Sequence, residues 1–220
     1  MPETYPQRAF APPPDATEVV LVRHGASAAA VPGEPFESVE GQSDPPLAPE
    51  GEQQARAVAE RLAGEQFAGL FVTTLQRTAQ TAAPLAELTG LSPVVVPELR
   101  EVGLGEWEGG ELRIRAAHRD PKFFEVIEAE RWDVIPGAEP AEEFAERVRA
   151  GLASVVAAVG PGAVACAVVH GGVIGELARQ ATRSRPFAFV HADNCSITRL
   201  VVFAEGRQLL RSFNDTAHLR

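Results

Sequence analysis

The chain has 220 residues, of which 45% are apolar and 23% charged, with a formal net charge of −10. This length supports one domain with a sizeable core, and the composition argues against a disordered or fibrous chain. An acidic chain without a Lys/Arg cluster is a poor partner for nucleic acid or an anionic membrane, so an anionic ligand must meet a local positive pocket.

Residues 1–17 are Pro-rich and polar, as expected of a loosely attached arm, and 18–220 read as a single domain. The arm lacks the basic and apolar regions of a secretory signal. Glu18–Val22 is an unbroken apolar run that suits a strand buried on both faces of a parallel sheet, and it ends at Arg23-His24-Gly25. Residues 28–48 hold too many prolines and glycines for a regular element, and a loop of that length in a compact domain is usually functional. Pro49–Gly64 predicts a helix, with Pro49 in its first turn and Ala55, Val58, Ala59 and Leu62 on one face. Gly69–Thr73 predicts a second strand, followed by a helix over Leu75–Leu88 capped by Thr73 or Thr74. Val94–Val96 is a third strand, residues 101–134 a mixed segment carrying both tryptophans, and Pro140–Val159 a long helix.

Ala163–Val169 is a fourth buried strand ending at His170-Gly171-Gly172, with a helix following to Thr182. Ser196–Phe203 and Gln208–Phe213 close the chain as a hairpin around Glu205-Gly206. Strands alternating with helices predict an α/β three-layer sandwich with a mostly parallel central sheet. Cys166 and Cys195 lie in apolar stretches without metal-ligand spacing and read as buried, reduced thiols of a cytoplasmic protein. The most apolar stretch, 151–175, is interrupted by Gly and Pro and does not read as a membrane span.

Two strands end in His-Gly, at VVLVRHG (19–25) and CAVVHGG (166–172). Ligands of open α/β sheets bind outside the carboxyl ends of strands, so His24 and His170 fall where a site belongs. A metal is one reading of two histidines, but Arg23 would repel a cation and no ligand-spaced carboxylate accompanies either one. An anion is the other, held by guanidinium and imidazole donors. Arg77, in the first turn of a helix that follows a strand, supports it, since a helix N-terminus already favours anions.

LVRHGAS (21–27), DPPLAPEG (44–51), TLQRTAQTA (74–82), LREVGLGEWEG (99–109), VVHGGVIG (168–175) and NCSIT (194–198) together resemble the histidine phosphatase superfamily, in its phosphoglycerate-mutase-like branch. The resemblance implies a phosphoglycerate-mutase-like fold, no cofactor, no metal, and His24 as a nucleophile that forms a phosphohistidine. It implies that Arg23, Arg77 and His170 clamp the phosphoryl oxygens and that Glu101 gives a proton to the leaving alcohol. Glu101 must then be protonated when it acts, a condition that burial and an adjacent phosphate dianion favour. Neighbouring guanidiniums keep His24 neutral. Ser27, by its hydroxyl, and Gly171, by its backbone N–H, are further candidate phosphate ligands. Asn194 and Ser196 fall in a segment that passes near the site in relatives, and a turn at Asp193-Asn194 explains them equally well.

The Asn that many mutase-branch members carry seven residues after the Arg is Ala30 here, which leaves one phosphate hydrogen bond missing or supplied from elsewhere, such as the 28–48 loop. The LREVGLGEWEG form resembles the branch's phosphatases. The expected activity is therefore hydrolysis of a small-molecule phosphomonoester, with a mutase or a phosphate-binding relative as alternatives and a homodimer compatible with the family.

By the same resemblance, residues 101–134 are a variable, substrate-facing insertion, and it carries nine acidic residues and five Lys/Arg, so it offers no dense positive lid. Arg113, Arg115 and Arg119 read as a solvated helix face or as holders of a second anionic group. Trp107, Phe123, Phe124 and Trp132 read as core or as the wall of an apolar pocket. His118, His191 and His218 belong to no motif and read as structural or surface residues.

Overall fold

The computed structural model describes residues 3–220. Eight strands and six α-helices follow one another as β1 (Thr17–Arg23), β2 (Ser38–Val39), β3 (Gln42–Ser43), α1 (Pro49–Leu62), β4 (Gly69–Val72), α2 (Gln76–Thr89), β5 (Val94–Val95), α3 (Glu111–Ala117), α4 (Pro121–Ala129), α5 (Ala141–Val159), β6 (Val164–Val169), α6 (Gly171–Thr182), β7 (Ile197–Val202) and β8 (Gln208–Asp215). Six of the strands form one sheet in the order β5-β4-β6-β1-β7-β8. The first four are parallel, while β7 runs antiparallel to β1 and β8 antiparallel to β7. The three-layer sandwich follows from alternation along β1. Val19 and Leu21 pack with α5 and α6 on one face. Val20 and Val22 pack with α1 and α2 on the other. A strand covered on both faces reads as a continuous apolar run, which is why β1 and β6 were recognisable.

Several details depart from the sequence reading. The 28–48 loop contains the short hairpin β2–β3 despite its prolines. The insertion folds into α3 and α4 and has its own small core of Trp107, Val126 and Ile135, against which Phe123 and Trp132 pack. Helix α2 is capped neither by Thr73 nor by Thr74. Its N-cap residue is Leu75, which lacks a capping side chain. Asp44, from the loop before α1, supplies the cap instead, accepting the Gln76 N–H at 2.8 Å, worth about 1 kcal/mol for such a bond. Both cysteines are free and buried, and burial pushes each thiol up to about 12. Among the described residues no helix is long and apolar enough to cross a membrane.

Candidate active site

Register brings the two His-Gly motifs together. β1 and β6 are parallel neighbours with Arg23 opposite Val169, so the next residues out of the sheet are His24 and His170. Their rings meet edge to face with centroids 5.2 Å apart. The turn after His24 is pinned by glycine. A Cβ on Gly25 would stand 2.5 Å from the carbonyl oxygen of Gly51, in the first turn of α1, so only bare backbone allows that approach. Asn194 also donates from its side-chain amide to the His24 carbonyl at 2.8 Å.

His24 Nδ1 lies 2.8 Å from the Gly25 carbonyl and therefore carries the proton. Its Nε2 consequently keeps a lone pair, which accepts from Arg77 Nε at 3.2 Å. Burial, then the charges of Arg77 and Arg23, hold this imidazole well below its usual 6.5. The ring is thus neutral at physiological pH with one nitrogen lone pair turned towards the Arg77 guanidinium, the state a nucleophile requires.

Arg77 is 7% exposed. Its guanidinium donates to the Ser43 carbonyl at 2.9 Å and lies 3.8 Å from Asp44, so the loop that caps α2 also aims its arginine. Arg23 donates to the Ala192 carbonyl at 2.5 Å, while its Nε is buried without a partner. Burial lowers both arginines, opposed chiefly by the charge of Glu101.

His170 is fully buried behind His24 and is not part of the cavity wall. Its Nε2 meets Thr73 Oγ1 at 2.9 Å. Thr73 Oγ1 also meets Thr78 Oγ1 at 3.2 Å. His170 Nδ1 is buried and has no partner. Burial and the charge of Arg77 hold this imidazole neutral too.

Glu101 projects over the start of α6. Its Oε2 accepts the Gly172 N–H at 3.1 Å and its Oε1 accepts the Val102 N–H at 3.0 Å. A Cβ on Gly172 would stand 2.4 Å from Glu101 Oε1, so the helix must start with glycine for the carboxylate to reach its N-terminus. Arg23, His24, Arg77 and Glu101 line one cavity of about 150 Å³ at the carboxyl ends of the strands. Gly171 borders the adjoining space beside Arg23. Ser27 does not line the cavity, and its hydroxyl accepts from Arg113 at 2.7 Å.

The sequence left Arg113 open between a solvated helix face and a holder of a second anionic group, and missed its place at the cavity. Arg115 is half-buried, set over the Trp107 ring and paired with Asp120 at 2.7 Å, and Arg119 lies over the exposed Phe124 ring, but Arg113 lines the cavity. It donates to Ser27 and to the Ala28 carbonyl, and lies over the Phe36 ring. Desolvation and the charge of Arg23 both lower it. Ala30 makes room for this helix, since a Cβ on Gly110, just before α3, would come within 2.8 Å of the Ala30 methyl. The group that stands near the missing Asn is therefore a guanidinium from the insertion. Glu108 was also missed: it ties the insertion to β3 by accepting the Ser43 N–H at 2.8 Å and the Leu104 N–H at 2.8 Å. No local pattern marks either contact, because both join segments more than 60 residues apart or cross an irregular turn.

The fold and its cluster of arginines around a neutral histidine define an α/β protein with an arginine-lined cavity at the ends of its parallel strands. The family model for the histidine phosphatase superfamily (branch 1) matches residues 19–216, and the chain belongs to that family. A probable phosphoglycerate mutase GpmB of Yersinia enterocolitica is 32% identical over 209 residues, covering 92% of this chain and 94% of the relative. Among solved structures, a mycobacterial glucosyl-3-phosphoglycerate phosphatase is 28% identical with a TM-score of 0.74, covering 91% of this chain and 100% of that one. A phosphoglycerate mutase of Bacillus anthracis superposes with a TM-score of 0.76 at 22% identity, over 93% and 96% of the two chains, and is alike in fold.

Proposed function

We propose that the protein is a cytoplasmic, metal-independent phosphomonoesterase that works through a phosphohistidine on His24. The observation that carries this reading is the lone pair of His24 Nε2, fixed by the Gly25 carbonyl on one side and facing Arg77 on the other. His24 Nε2 attacks phosphorus, the ester P–O bond breaks, and Glu101 delivers a proton to the leaving oxygen. Water then attacks the phosphorus of the phosphohistidine while Glu101 takes its proton, the P–N bond breaks with its electron pair returning to His24 Nε2, and inorganic phosphate leaves with His24 neutral again. Arg23, Arg77 and the N–H of Gly171 hold the phosphoryl oxygens, with Arg113 closing the mouth and His170 packed edge to face against His24. Charge spreading over those oxygens in the transition state is what fixed guanidiniums stabilise, at about 3 kcal/mol per donor.

The name of the Yersinia relative favours a second reading, a mutase. The two differ in the fate of the phosphohistidine, which a mutase must shield from water. Hydrolysis of an aryl phosphate is measured with and without EDTA, for the unsubstituted chain and His24→Ala. Turnover that persists in EDTA and vanishes in the variant is expected, and turnover retained by His24→Ala overturns the covalent mechanism. A phosphohistidine that survives in water and is discharged only by added phosphoglycerate supports the mutase.

A further inference from the structure

The position of Glu101 decides where the rest of the substrate lies. An acid that protonates the leaving oxygen must touch it, so the alcohol extends past Glu101, away from His24. Space opens in that direction. A cavity of about 270 Å³ shares Arg23, Glu101, Val102, Leu104 and Leu112 with the phosphate cavity. A second, of about 300 Å³, shares Val102, Trp132, Gly172 and Val190 with the first and extends to Phe144, Ala145 and Phe187. Trp132 and Phe187 meet in its wall, tilted at 41° with centroids 4.8 Å apart. The route from the reacting phosphorus is therefore polar up to Glu101 and apolar beyond it.

Charges along the route sharpen the reading. Each arginine of the far cavity is already paired, Arg179 with Glu176 at 2.7 Å and Arg131 with Asp133 at 2.6 Å. The nearer cavity has Arg23, which it shares with the phosphate cavity, and Asp193 and Glu142 add negative charge at the two. A carboxylate or second phosphate on the leaving group would find no unpaired cation in the far cavity and would meet like charge. An apolar body would bury its surface against Val102, Trp132, Phe144 and Val190.

We propose that this path is the leaving-group subsite, and that the substrate is the phosphomonoester of an uncharged, apolar alcohol with an aromatic or branched alkyl body. The inference rests on the phosphatase reading, which supplies the role of Glu101. Its test uses binding, so that the two stand or fall separately. Naphthylethyl phosphate, ethyl phosphate and phosphoglycerate are titrated calorimetrically into the full-length His24→Ala chain, which cannot turn them over.

The naphthyl ester is expected to bind at least about tenfold more tightly than either of the others. That ratio is expected to collapse when Ala145→Leu fills the far cavity or Trp132→Ala removes its wall, and to return in Trp132→Phe. Equal affinities, tighter binding of phosphoglycerate, or a ratio insensitive to both substitutions in chains with an unchanged urea midpoint would overturn the subsite. Turnover of ethyl phosphate by the unsubstituted chain, and its loss in His24→Ala, reports on the phosphatase reading independently.

Discussion

Gly172→Ala separates the position of the proton donor from the stability of the fold. Gly172 sits in the first turn of α6, so alanine is compatible with the backbone and favours the helix by about 0.5–1 kcal/mol. Its new Cβ would stand 2.4 Å from Glu101 Oε1 and 3.3 Å from Cδ. To regain van der Waals distance the carboxylate must retreat by about 1 Å, which also breaks its 3.1 Å bond to the Gly172 N–H. A charge-assisted bond of that kind is worth about 1.5–3 kcal/mol, and the helix gain offsets part of it. Stability should therefore fall by no more than about 2 kcal/mol. A misplacement of about 1 Å costs a catalytic group about 100-fold, and the cost falls on substrates whose leaving oxygen needs the proton.

The assay is kcat/KM for ethyl phosphate and for 4-nitrophenyl phosphate, with the urea midpoint measured alongside. Activity on the alkyl ester should drop about 100-fold while the aryl ester, whose phenolate leaves unaided, loses less than about fivefold. Glu101→Gln should show the same selective loss. Equal losses on both esters, or none on the alkyl ester, would refute the placement of Glu101 as the acid.

Two further outcomes follow from the site's charges. His24 and His170 are held well below 6.5 when folded, so the unfolded chain binds more protons, and stability is complete above pH 6.5 and falls as the pH drops below it. Between pH 7.5 and 5.5 the two groups together should cost about 2–3 kcal/mol, read as a lower urea midpoint, and a midpoint unchanged over that range would show that neither ring is held neutral. Arg113→Met should weaken competitive inhibition by inorganic phosphate about tenfold while leaving the unfolding midpoint nearly unchanged, because Arg113 bonds only Ser27 and the Ala28 carbonyl. An unaltered inhibition constant would place Arg113 outside the phosphate site.

The residues most legible in the sequence were those whose placement is local. A strand buried on both faces announces itself as an apolar run, and whatever follows it must emerge at the sheet's carboxyl edge, so His24 and His170 could be placed at a site from VVLVRHG and CAVVHGG alone. Arg77 was legible for the same reason, as the first-turn residue of a helix leaving a strand. That β1 and β6 are neighbours, which sets the two rings edge to face, is a matter of strand order, and no spacing along the chain encodes it.

The tertiary structure alone decided the cap of α2 by Asp44, the entry of Arg113 over Ala30, and the approach of Glu101 to the bare N-terminus of α6. Each of these contacts joins segments far apart in sequence, and in each the polar or charged residue has a plausible solvent-exposed alternative that composition cannot distinguish. The cavity beyond Glu101 is the extreme case. Trp132, Phe144, Phe187 and Val190 come from the insertion, two helical segments and a loop, and their apolar character fits a core as well as a pocket. Only the relative placement of the elements leaves that space open, because hydrophobicity dictates that such side chains be buried and says nothing about what covers them.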